Sequence, residues 1–252
     1  LLSEAVLRHH FRLSGIITTV DAVNGASQLD SFPESVKQAS MADRLVMTKA
    51  DLSDEASLAV LRKRLRNLNI SARILDSHDI GGDLSQLLTD DIYDAAGKFR
   101  ETSHWVAEEV DEHASHTHTA QVQSFAAIFD EPLDWTAFGV WASMLLHRHG
   151  ADVLRLKGLL NVAGVPTPVL INGVQHIVHP PSHLEEWPDA DRRSRLIFIV
   201  RGVQRARIER SLAVFNDLVN ASSSTARSRD GGDPVDPTSY RHGSSGFPLA
   251  RE

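Results

Sequence analysis

A chain of 252 residues that is 42% hydrophobic holds enough apolar material for one large or two modest domains. Its formal charge of -7 and the lack of a dense Lys/Arg patch argue against a nucleic-acid partner. No apolar run approaches the ~20 residues that cross a bilayer, which sets a membrane partner aside. With no cysteine, disulfides and thiolate metal sites are excluded, so a metal must be bound by Asp, Glu or the thirteen histidines.

The N-terminus, Leu1-Leu2-Ser3-Glu4, lacks the charged-then-apolar layout of a signal peptide, so the cytoplasm is the expected location. A first residue other than Met leads us to expect a further segment upstream. Ser14 to Ala22 is a β-branched run ending in Asp21 and predicts a core strand. Phe32 to Ala42 predicts a helix, and Arg44 to Asp51 a second strand, giving a parallel pair joined by a helical crossover. Ser53 is placed to cap the next helix, with Asp54 and Glu55 favouring its dipole. Leu58, Leu61, Leu65 and Leu68 form one stripe of that helix, and Ser71 to Ser77 follows as a third strand. Residues 1–100 therefore predict a βαβαβ unit.

From 101 to 121 the apolar periodicity vanishes and Glu108, Glu109, Asp111, Glu112, His113, His116 and His118 crowd together, predicting a solvated linker. Order resumes at 122–219. A strand at Ser124–Phe129 leads to a helix with Trp135, Phe138, Trp141, Ala142 and Leu145 on its buried face. Strands follow at 152–162, 168–178 and 195–200, then a helix from about Gln204. Short turns between the central strands predict an antiparallel sheet with helices on one face. Beyond Asn220, Ser, Arg, Gly, Asp and Pro dominate, and 220–252 reads as a disordered tail.

The chemistry concentrates at Thr48-Lys49-Ala50-Asp51. A strand that ends in Thr-Lys-x-Asp delivers polar side chains to the edge where open α/β sheets bind ligands. A carboxylate at Asp51 can accept from guanine N1–H and the exocyclic amine together, a donor pair adenine lacks, while the Lys49 stem lies along the base. Four residues alone fit equally well with Thr48 and Asp51 as helix caps. The loop holding Ser77 and His78 is placed to add backbone contacts to the base oxygen, and Asp21 ends a strand at the same edge, either near phosphates or as a turn cap before Asn24-Gly25. No G-x-x-x-x-G-K-[ST] phosphate loop occurs, and the one Gly97-Lys98 pair is followed by Phe99.

For metal, His116 and His118 point the same way in an extended chain, and His113 and His116 share a face on a helix. Imidazole with carboxylate suits zinc, cobalt or nickel, bound exchangeably; a solvated linker that binds nothing is the competing reading. His147, His149, His176, His179 and His183 read as helix-end and turn residues. Arg155 and Lys157 alternate with Leu154 and Leu156, giving a basic stripe expected on a solvated face, with a contact between domains as the other reading.

The segment Ile171 to Ile199, INGVQHIVHPPSHLEEWPDADRRSRLIFI, preceded by Leu154-Arg155-Leu156-Lys157-Gly158, resembles the C-terminal domain of the CobW family of metallochaperone GTPases. Val20-Asp21-Ala22, Gln38 to Asp43, the Thr-Lys-x-Asp turn and a His-rich linker follow in that family's order. The resemblance implies an α/β protein: the C-terminal half of a P-loop-type GTPase domain, then a smaller α+β domain with an antiparallel sheet. It implies that Thr48, Lys49, Asp51 and Ser77 meet GTP, that magnesium serves the whole enzyme, and that zinc or cobalt is delivered to a client metalloprotein or to cobalamin synthesis. Self-association is left open. The family's P-loop and Cys-x-Cys-Cys segments would precede Leu1, and a non-catalytic metal-buffering or client-binding module is the alternative.

Overall fold

The computed structural model describes residues 10, 11, 13–81, 84, 87 and 122–227. Strands β1 (Ile17–Asp21), β2 (Arg44–Thr48) and β3 (Arg73–Asp76) form a parallel sheet in the order β1-β2-β3, with Ile17 level with Arg44 and Arg44 level with Arg73. The first four residues of β2 are all buried, as a central strand covered on both faces requires. Between β1 and β2 run two helices where the sequence predicts one, α1 (Gly25–Ser31) and α2 (Pro33–Met41). The break falls at Phe32, whose extended backbone suits a residue before proline, and Pro33 starts α2 where its missing N–H is no loss.

Helix α3 (Glu55–Leu68) keeps the expected stripe, with Leu58, Leu61 and Leu65 buried and Leu68 packed beside them. Each buried leucine contributes about 2 kcal/mol. Its cap is Asp54, which accepts from the Ser57 N–H at 2.9 Å, and not Ser53, whose hydroxyl instead donates to the Ala22 carbonyl at 3.2 Å. Two cap-forming residues stand side by side, and the chain path after β2 selects the second. The short helix α4 (Ser77–Ile80) follows β3 directly and ends at Gly81, whose φ of 55° favours glycine.

The second unit comprises β4 (Val122–Phe129), α5 (Trp135–His149), β5 (Val153–Leu160), β6 (Val169–Val174), β7 (Ile177–Val178), β8 (Ser182–His183), β9 (Ser194–Arg201) and α6 (Arg205–Arg227). Its antiparallel sheet runs β4-β9-β5-β6-β7, with β8 on β6. One face, carrying Phe125, Leu156, Leu196 and Phe198, is covered by Phe138 and Trp141 of α5 and by Ile208 and Leu212 of α6. The Trp141 indole N–H donates to Ser211 Oγ at 2.8 Å, tying α5 to α6. Helix α6 continues to Arg227, past the change in composition at Asn220.

The opposite face of this sheet meets the first unit. Ile70 packs on Ala126, Leu159, Leu184 and Ile197, and Val122 joins the core around α3. Arg155 and Lys157 lie on this face with side chains only 1% and 4% exposed. The expected solvated stripe is therefore corrected: it is a buried contact between the units. Asp43, at the entrance to β2, pairs through Oδ1 with Arg155 and, at 3.4 Å, with Lys157 Nζ, while its Oδ2 accepts from the Ile16 N–H at 2.9 Å. Burial alone would raise the Asp43 carboxyl, but Arg155, Lys157 and the Ile16 N–H outweigh it and hold it below the usual carboxylate range.

Candidate nucleotide-binding site

The two turns at the C-terminal edge of the parallel sheet converge because their strands are neighbours. Met47 is level with Asp76, so the turn after β2 and the start of α4 leave the sheet side by side. Thr48 is the last strand residue, and its hydroxyl donates to the Val20 carbonyl at 3.5 Å. Lys49 leaves the strand in the left-handed region, φ 59°, after which Ala50–Leu52 makes one 3₁₀ turn. A lysine there costs about 1–2 kcal/mol of backbone strain, which the surrounding turn must hold.

From that backbone Lys49 reaches across the sheet edge, where Nζ donates to Asp21 Oδ2 at 2.7 Å. Asp21 Oδ1 accepts from the Val23 and Asn24 N–H groups at 2.8 and 3.0 Å. Asp21 is thus the turn cap before α1 and also the group that fixes Lys49. The Lys49 ammonium and then the Asn24 N–H hold its carboxyl far below the usual range.

Asp51, on the 3₁₀ turn, is half exposed, at 54% of its side chain. Its Oδ1 lies 3.0 Å from His78 Nε2. The hydrogen bond from His78 is the main cause that holds the Asp51 carboxyl below its ordinary value, so it is ionised at neutral pH. The geometry brings together Thr48, Lys49, Asp51 and the α4 turn that starts at Ser77. It offers an anionic acceptor with two oxygens next to the aliphatic stem of a fixed lysine, a set that fits a planar base presenting two N–H donors. Sequence reasoning gave His78 only a backbone part; the side-chain pair it makes with Asp51 had no local signal.

His113, His116 and His118 lie outside the described residues. Among the described residues, no group of three or more His, Asp or Glu side chains is placed to hold a metal ion. His183 lies in β8 and not in a turn, with Nδ1 3.5 Å from the Thr167 hydroxyl, whereas His176 sits in the turn between β6 and β7 and the His179 N–H donates to the Asn172 carbonyl.

A three-stranded parallel sheet with the Lys49–Asp51 turn at its carboxyl edge is joined to an antiparallel sheet backed by two helices, the layout of an α/β nucleotide-binding unit fused to a C-terminal α+β domain. Residues 1–76 match the CobW/HypB/UreG nucleotide-binding domain, and residues 122–216 match the cobalamin synthesis protein cobW C-terminal domain. The chain belongs to the CobW family. It is 27% identical over 209 residues to the zinc chaperone YjiA of Escherichia coli strain K12, covering 80% of this chain and 60% of that protein. The crystal structure of Zn(II)-bound YjiA GTPase from E. coli superposes with a TM-score of 0.61 at 25% identity, over 85% of this chain and 64% of that one. A Zn(II)-bound triple mutant of YjiA GTPase matches with the same score and identity, over 65% of its length. The chain therefore spans less than two thirds of the length of these relatives.

Proposed function

We propose that this chain is the base-recognising and C-terminal part of a GTP-dependent metallochaperone that handles zinc. The observation that carries the reading is the Lys49–Asp51 turn. A strained lysine and an ionised, accessible carboxylate stand together at the carboxyl edge of a parallel sheet, the place and the chemistry for reading guanine. In this reading Asp51 accepts from guanine N1–H and the exocyclic amine, the Lys49 stem flanks the base, and Thr48 and Ser77 line the approach. The 252 residues contain no G-x-x-x-x-G-K-[ST], and no residue here is assigned to the phosphates or their magnesium.

The zinc part of the reading is supported by the family and by the zinc-bound relatives. The donor chemistry agrees: His113, His116 and His118 with the adjacent carboxylates suit a borderline cation held exchangeably, zinc first and cobalt by the same donors. The cargo would pass to a client metalloprotein. We assign the linker to 101–121, between a nucleotide-binding half at 1–100 and a C-terminal domain at 122–219.

The test is a base swap. Asp51→Asn replaces an acceptor by a donor at the purine 2-position, so GDP binding to the whole chain falls about tenfold or more while XDP, which carries an oxygen there, gains. Equilibrium titration of parent and variant with both nucleotides reads this directly. Unchanged GDP affinity removes Asp51 from the site and overturns the reading.

A further inference from the structure

The imidazole of His78 sits on the carboxylate that base recognition needs. Its Nε2 lies 3.0 Å from Asp51 Oδ1, and the contact spans two separate turns, the one after β2 and the one after β3. His78 is aimed there by its own backbone. Its N–H donates to Asp76 Oδ1 at 2.9 Å, and the positive φ of Gly81 stops α4 after four residues, so the imidazole leaves from a short, fixed turn. Both partners are more than half exposed, 54% for Asp51 and 63% for His78, so a base can reach them. Guanine offers two donors to the two carboxylate oxygens, and a third donor already seated on Oδ1 contends for the same lone pairs.

We propose that His78 is a positioning residue of the base site that holds Asp51 in place when no base is bound and competes with guanine for it, more strongly when the imidazole is protonated. This rests on the guanine reading above. The charged groups around His78 are acids: Asp51 from the turn after β2, Asp76 from the end of β3, and Asp79 on its own turn, with Asp76 also 3.5 Å from Arg62 of α3. The hydrogen bond to Asp51, then the Asp51 charge, raises His78 above its ordinary value, with desolvation opposing. Below that raised value the cation stays on Asp51 and guanine must displace an ion pair; above it, guanine displaces a neutral hydrogen bond. Guanine affinity therefore falls as pH falls through the His78 titration.

The experiment is a titration of the 252-residue chain with GDP at pH 6.0 and pH 8.0, followed by NMR at the Thr48 to Asp51 amides, for the parent, His78→Ala and His78→Gln. Titration of the GDP phosphates is common to all three and cancels in the ratios. An exposed ion pair changes affinity by at most about fivefold. The parent is expected to lose about two- to fivefold more affinity between pH 8.0 and pH 6.0 than His78→Gln, and its imidazole titration is expected to move down under saturating GDP. The same pH ratio in parent and His78→Gln, with GDP bound by both, overturns the role of His78 alone. Absence of GDP binding in all three proteins at both pH values overturns the guanine reading and this inference with it.

Discussion

Replacing Asp43 by alanine strikes the contact that joins the two units. The carboxylate is buried and serves three donors, Arg155, Lys157 at 3.4 Å and the Ile16 N–H at 2.9 Å. Asp43→Ala leaves two cations in a buried interface without their shared counter-ion, and the Ile16 amide without its acceptor. Removing one partner of a buried pair costs about 3–5 kcal/mol, against a total stability of about 5–15 kcal/mol for a typical domain. Urea unfolding at pH 7, followed by tryptophan fluorescence and circular dichroism, measures the loss. The pH dependence has a definite sign. Because the folded carboxyl is held below its unfolded value of about 3.9, its contribution is fully present above that value and is lost as pH falls through the depressed folded value. The gap between parent and variant therefore narrows as the pH is taken down through and below about 4. A loss below about 1 kcal/mol at pH 7, or a gap that widens in acid, refutes the reasoning.

Three further outcomes are expected. Asn69 is buried, donates to the carbonyls of Ala39, Ser40 and Ala42 and accepts from the Ser71 N–H and hydroxyl. Asn69→Ala strands several of these groups at once and costs about 3 kcal/mol by denaturant titration; a cost under about 1 kcal/mol would show that the hub carries little. At Gly158 an added Cβ would lie 2.6 Å from Ile171 Cγ1 and 2.7 Å from Leu196 Cδ2, so Gly158→Ala overpacks the sheet core, costs about 1–3 kcal/mol and lowers the melting temperature, whereas an unchanged melting temperature would show that the core yields. Replacing His113, His116 and His118 together by alanine reduces zinc binding in calorimetry at pH 7, and superimposable titrations would assign zinc to other residues.

Legibility in the sequence followed the range of each interaction. The α3 stripe, the parallel pair and the order of the second unit depend on periodicity over a few residues, and the chain displays it. The cap at Asp54 was misplaced by one position because Ser53 and Asp54 are both cap formers and only the path out of β2 separates them. Lys49 bears no local mark of a left-handed backbone, since that conformation is imposed by the turn and by Asp21, 28 residues earlier. Arg155 and Lys157 alternate with leucines as they would on a wet strand face; their partner, Asp43, is 112 residues from Arg155, and nothing near either residue announces the other. The Asp51–His78 pair is hidden for the same reason: it exists only because β2 and β3 are neighbours.

One strand links the features on which these expectations depend. Asp43 stands at the entrance to β2 and Lys49 at its exit, and β2 is laddered on one side to β1 and on the other to β3. At about 3.3 Å per residue its five residues make a strut roughly 16 Å long, too well braced to bend or slip by itself. The C-terminal domain grips one end of that strut, and the turn that holds Lys49 and Asp51 is mounted on the other. In mechanical terms, a pull on either end is borne by the same backbone hydrogen bonds that hold the parallel sheet together.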